Sequence, residues 1–126
     1  MPTNIRPGAV IFTGDHKRLA KFYQAMTGLP VSFADDSHTV LASDTFELVV
    51  HSISVEPKVS GPPVAREDGY IKPFFPTTSL SEAREKAAAL GGRLRPQSAE
   101  WSARGFRACE AIDPDGNVIQ FREEAS

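Results

Sequence analysis

The sequence predicts an α+β fold of two βαβββ modules within one domain, residues 1–126. Three observations carry this. An apolar, β-branched run leads into an amphipathic helical stretch twice, three strand-like segments follow each helix, and a Pro- and Gly-rich connection separates the two sets. Module one is expected over about 8–53, the connection over about 54–69 and module two over about 70–123. A chain of this length can bury about two thirds of its unfolded surface without disulfide or metal staples.

In module one, Ala9-Val10-Ile11-Phe12 reads as the first strand. Asp15 is the expected cap of the helix that follows, because its carboxylate can accept from the free N–H groups of the first turn. Leu19, Phe22, Tyr23 and Met26 then fall at i, i+3, i+4 and i+7, and Gly28 with Pro30 ends the helix. Strands are expected at about 30–34, 38–42 and 46–51, separated by Asp35-Asp36-Ser37 and Ser43-Asp44.

Module two repeats the order. An apolar strand is expected over about 70–76, and Ser79 with Glu82 has the spacing of a capping box. Leu80, Ala83, Ala87 and Leu90 line one helical face before Gly91-Gly92. Strands follow at about 93–95, 106–112 and 118–122. The last two are joined by Asp113-Pro114-Asp115-Gly116-Asn117, in which Pro fixes an early φ and Gly permits a positive one later. Superposing the caps Asp15 and Ser79 gives an offset of 64 residues, which lays Gly8 on Lys72; the last strands set Glu47 opposite Gln120.

Composition narrows the function. The 14 Lys+Arg against 16 Asp+Glu leave a net charge of −2, with no cationic run longer than Lys17-Arg18, so nucleic acid is not the expected partner. The longest apolar runs are about four residues, so neither a membrane span nor a signal segment is expected. The one cysteine, Cys109, cannot form an internal disulfide and agrees with a reducing, cytoplasmic location. Within its strand Cys109 reads as a small buried hydrophobe.

The paired βαβββ order, the Thr13-Gly14-Asp15 entry into a helix bearing Phe22-Tyr23 and ending Gly28-Leu29-Pro30, and the closing Asp-Pro-Asp-Gly-Asn turn before an apolar strand together resemble the vicinal oxygen chelate superfamily. This group contains glyoxalase I, extradiol dioxygenases and the fosfomycin and bleomycin resistance proteins. The resemblance extends over residues 8 to 123. It implies concave mixed sheets with helices outside, a ligand in the cleft, and a homodimer.

Strand alternation places residues on the two faces. Ile119 and Phe121 share the core face of the last strand, and Val118, Gln120 and Arg122 the other. Likewise Glu47, Val49, His51, Lys72 and Phe74 are expected toward the cleft, and Leu48, Val50, Ile71 and Phe75 toward the core.

Metal-dependent members of the resembled family hold their ion with one residue at the start of each module's first strand and one in each last strand. By position these are Gly8, Glu47, Lys72 and Gln120, of which only Glu47 is a strong donor. No metal and no cofactor are therefore expected, and the leading reading is a metal-independent small-molecule binding protein. Its alternative is a metal-dependent lyase, isomerase or dioxygenase that uses Glu47 with unusual partners. Lys72 is expected either to pair with Glu47 across the cleft, to meet an anionic ligand beside Gln120, or to stand solvated.

His51 is a further cleft candidate. It lies four residues from Glu47, about 13 Å along a strand at ~3.3 Å per residue, too far to share an ion. His16 reads as a surface residue and His38 as a turn residue. Trp101, in a loop over about 96–105, is either a stacking wall with Tyr70, Phe74 and Phe106 or a plug at the cleft edge.

Overall fold

A computed structural model describes residues 5–54 and 61–125. The chain divides into two compact units, Met1–Val59 and Ser60–Ser126.

The first unit contains β1 (Gly8–Thr13), α1 (His16–Thr27), β2 (Val31–Ala34), β3 (His38–Ala42) and β4 (Glu47–Ser52). Its sheet order is β1-β4-β3-β2, with β1 parallel to β4 and the other neighbours antiparallel. The Asp15 carboxylate accepts from Arg18 N–H, and the far end of α1 closes at Gly28, whose φ of 75° lets its N–H reach Gln24. Leu19, Phe22, Tyr23 and Met26 are buried, as the periodicity predicts, and α1 packs on β3 and β4, whose Leu41, Leu48 and Val50 are also buried. At roughly 1.5–3 kcal/mol for each large apolar side chain removed from water, this layer holds the unit together.

His16 corrects an expectation. It is 4% exposed, with Nδ1 2.9 Å from Thr39 Oγ1 and Nε2 3.2 Å from the Asp36 carbonyl. A carbonyl can only accept, so Nε2 carries the proton and Nδ1 accepts from the Thr39 hydroxyl. The residue faces inward because its position in the first turn of α1 lies against β3, and those two partners satisfy both ring nitrogens.

The second unit contains β5 (Phe74–Pro76), α2 (Leu80–Ala89), β6 (Arg93–Leu94), a 3-10 turn at Gln97–Ala99, β7 (Trp101–Ala103), β8 (Phe106–Ile112) and β9 (Val118–Glu124). The sheet order is β5-β9-β8-β6, with β7 also on β8. Ser79 Oγ accepts from Glu82 N–H at 3.1 Å, and the Leu80 N–H is satisfied by Glu123 of β9 at 2.8 Å. Helix α2 thus takes part of its cap from the sheet. Its buried Leu80, Ala83 and Ala87 belong to the same core as Phe75, Ile119 and Phe121.

Two elements differ from expectation. The strand expected over 70–76 is only Phe74–Pro76, and Ile71, expected toward the core, is 88% exposed. Pro73 has no N–H with which to extend the ladder, although its carbonyl still accepts from Gln120. The loop expected over 96–105 holds a 3-10 turn and β7, so Trp101 is a strand residue.

Of the Pro- and Gly-rich connection, 55–60 lie outside the described residues. Its later part is tied to the second unit: Arg66 N–H donates to the Gly116 carbonyl, and Arg93 donates to the Pro63 carbonyl. Gly116, at φ +93°, sits where an added Cβ would lie 2.2 Å from the Val64 carbonyl oxygen. Beside it Asp113, fully buried, accepts from Asp115 and Asn117 and holds the turn.

Candidate functional site

Each sheet has a helix-covered face and an open one. On the first sheet, the Glu47 N–H donates to the Pro7 carbonyl at 3.0 Å, which sets Gly8 opposite Glu47. Strands run close there: a Cβ on Gly8 would meet the Glu47 carbonyl oxygen at 2.1 Å. Glu47, Val49 and His51 are half-buried on the open face while Leu48 and Val50 are sealed beneath, as alternation predicts.

His51 does not stand alone. It pairs in register with His38 of β3, and the two imidazoles stack with centroids 5.5 Å apart and 13° between planes. Phe12 meets His51 edge-on at 6.0 Å and Phe33 lies 5.1 Å from His38, so four rings cross the sheet in a row. His38 therefore belongs to the open face rather than to a turn. At its edge, Asp35 accepts from Ser37 N–H, the Ser37 hydroxyl and His38 N–H, which hold its carboxyl down at about 2.

On the second sheet, Gln120 N–H donates to the Pro73 carbonyl at 3.0 Å and Gln120 stands opposite Phe74. This repeats Pro7, Gly8 and Glu47, so the module-two equivalent of Gly8 is Phe74 and not Lys72. From the matched strand residue to the helix cap module two is two residues shorter, Phe74 to Ser79 against Gly8 to Asp15, which an offset measured from the caps does not register. Lys72 precedes the strand and pairs with Glu110, not Glu47; Glu110 also accepts from Arg95 Nε at 3.0 Å, and Arg95 reaches Glu67.

Phe74, Gln120, Phe106 and Trp101 share the open face of this sheet. Across them lies Arg122, whose guanidinium carbon sits 3.6 Å from the Phe74 ring centroid and 4.2 Å from that of Phe106. Its Nε donates to Gln120 Oε1, so the Gln120 amide group that remains is a donor. Trp101 is 39% exposed and joins the row of Ala108 and Arg122. Tyr70 is fully exposed outside any strand and is not brought to this group. Arg122 was legible in the sequence as a neighbour of Gln120 on the same face, whereas Glu110 and His38 are joined to their partners only by strand pairing.

The residues at the expected metal positions do not fit a metal. They are now Gly8, Glu47, Phe74 and Gln120, offering one carboxylate and one amide, with no room for a side chain at Gly8. Among the described residues no three His, Cys, Asp or Glu side chains gather as a ligand set.

The helix-covered side of the second unit carries a separate polar centre, a groove of about 280 Å³ lined by Ser79, Leu80, Ser81, Arg84, Gln97, Glu100, Arg107 and Glu123. The Glu100 side chain is only 5% exposed and accepts from Arg84 at 2.6 Å and Arg107 at 2.7 Å. Burial pushes its carboxyl up, but the two guanidinium groups outweigh this and hold it below the usual range. Burial raises the neighbouring Cys109 thiol despite the Arg84 contact, so it is a poor nucleophile.

A protein-family model described as a glyoxalase-like domain matches residues 8–121. No curated protein matches the chain. Among solved structures, a glyoxalase/bleomycin resistance protein/dioxygenase family enzyme from Burkholderia phytofirmans is similar at a TM-score of 0.68 and 16% identity, over 94% of this chain and 97% of that one. The fosfomycin resistance protein FosX from Mesorhizobium loti is similar at 0.65 and 13% identity, over 99% and 95%. An integron cassette protein from Vibrio cholerae reaches 0.64 at 19%, over 99% and 98%. At these identities the likeness is one of fold, and no helix among the described residues is long and apolar enough to cross a membrane. With the family match spanning nearly the whole chain and the two βαβββ units agreeing with it, this protein belongs to the glyoxalase-like domain family.

Proposed function

We propose that the chain is a metal-independent small-molecule binding protein whose second unit holds an anionic ligand on the open face formed by Phe74, Phe106, Trp101, Gln120 and Arg122. The observation that carries this reading is Arg122. Its guanidinium is fixed between two aromatic rings and the Gln120 carbonyl, and it has no carboxylate partner among the described residues. A cation held in place by stacking loses little freedom when an anion arrives, and its remaining donors suit a carboxylate. Phe74, 55% exposed, and Trp101 supply apolar walls. Lys72 is already neutralised by Glu110, so its ammonium is a weaker candidate for direct contact.

Trp101 is the sole tryptophan, so its fluorescence reports on this face alone. Titration with a panel of small aliphatic and aromatic carboxylates should give saturable quenching, unchanged by EDTA. Arg122→Ala should weaken it by roughly 10- to 100-fold, the loss expected for a charge-assisted hydrogen bond of about 1.5–3 kcal/mol. Binding abolished by EDTA, binding indifferent to Arg122, or the absence of any saturable response would overturn the reading.

The same proposal includes a cytoplasmic homodimer. Support for dimerisation comes from the open face of the first sheet, where Val10, Phe12, Val31 and Phe33 are each about half exposed.

A further inference from the structure

On the first unit, we propose that His38 and His51 form a binding site for a divalent transition-metal ion, away from the positions at which the family match leads one to look. The site is independent of the carboxylate reading given above; it lies between Phe12 and Phe33 on the face proposed for dimerisation, so metal binding and dimerisation compete for that face.

His51 Nδ1 lies 2.8 Å from the Ser52 carbonyl, which can only accept, so the proton is on Nδ1 and the Nε2 lone pair is free. At His38 the Ser37 hydroxyl gives its one proton to Asp35, so its 2.8 Å contact with His38 Nδ1 requires the ring to donate; Asp35 Oδ1 also lies 3.1 Å from that nitrogen. Both imidazoles are thus locked in the tautomer that leaves Nε2 as a ligand. Orientation of Nδ1–H by a carboxylate or a carbonyl is the usual support of a metal-binding histidine.

Strand pairing brings the two rings together. Ser52 N–H donates to the Ser37 carbonyl at 2.8 Å, which makes His38 and His51 a non-hydrogen-bonded cross-strand pair, the kind whose side chains stand closest. Their rings are stacked 5.5 Å apart, and neither Nε2 has a protein hydrogen-bond partner among the described residues. Two nitrogens bound to one ion at 2.0–2.1 Å lie about 3 Å apart, a spacing reached by tilting the rings toward each other. With only two protein donors, the other coordination positions fall to water. Imidazole donors and the Irving–Williams order favour Cu(II) over Ni(II) and Zn(II).

The test is calorimetric titration of the purified, metal-free full chain with CuCl2, NiCl2 and ZnCl2, with NMR of the imidazole nitrogens during addition of Ni(II). The expected result is one ion per chain, Cu(II) tightest, and selective broadening of His38 and His51 signals with those of His16 retained. His38→Gln and His51→Gln should each weaken binding at least 10-fold while circular dichroism shows the fold intact, and Asp35→Asn should weaken it by a smaller factor. Arg122→Ala should leave it unchanged, which separates failure of this site from failure of the carboxylate site. Wild-type affinity in both histidine variants, broadening centred on His16, or no saturable binding would overturn the proposal.

Discussion

Gly8 in the first unit and Glu100 in the second show how single residues set limits. A methyl group at position 8 would press on the Glu47 carbonyl at 2.1 Å, so Gly8→Ala must part β1 from β4 or distort them. The expected cost is about 1–3 kcal/mol, the range of overpacked sites, read as a lower urea midpoint with an unchanged slope. Glu100 is the buried counterpart. Glu100→Gln should cost about 2 kcal/mol at neutral pH, less than the roughly 3–5 of a fully buried pair because Arg84 and Arg107 are 28% and 40% exposed. Its carboxyl is held below the ordinary 4.5 in the folded chain, so this stability is complete above that value and drains away as pH falls through the folded one. Acid unfolding should therefore bring wild type and Glu100→Gln together below pH 4.5; a gap that stays constant would reject the role of the charge.

Elements carry the next set of consequences. Helix α2 is short, and two of its first-turn donors are satisfied by Ser79 and by Glu123 of β9. Ser79→Ala should cost about 1 kcal/mol and lower the melting temperature by roughly 3–5 °C, with the Glu123 bond retained. Glu123→Ala should cost a similar amount although it lies on a strand, and the double variant should lose more than either. The periodicities of α1, β4 and β9 were legible because each buries one face, and burial forces the apolar spacing that can be counted, whereas β3 and β8 bury consecutive residues and show no such alternation. The first strand of module two was read too long because apolar Tyr70 and Ile71 imitate a strand, whereas Pro73 ends the ladder and leaves both in water.

At the scale of the whole molecule, the proposed homodimer makes a simple prediction. Sedimentation at micromolar concentration should give twice the 13.7 kDa chain mass, and Phe12→Ser with Phe33→Ser should shift it toward one chain. A single 13.7 kDa species in the wild type would reject the dimer. The two units repeat one architecture but not one surface chemistry. The open face of the first is apolar around a histidine pair, while that of the second carries a stacked arginine and a Lys72–Glu110–Arg95 chain of charges. The family fold thus supplies two related sheets that carry separate chemistry, and function follows from those side chains rather than from the fold.

By itself the sequence determined the α+β class, the order of nearly every element, the buried faces of both helices and the equivalence of Glu47 with Gln120. These follow from local rules: capping, helical period, strand alternation and turn residues act over a few neighbours and are written in order along the chain. Tertiary structure alone decided that Phe74 matches Gly8, that His16 is buried, that Lys72 meets Glu110 and that His38 stacks on His51. The Phe74 and His38 pairings depend on register between strands far apart in sequence, where a slip of one or two residues changes which side chains meet, while His16 depends on the packing of α1 against β3 and Lys72 on where the segment before β5 runs beside β8.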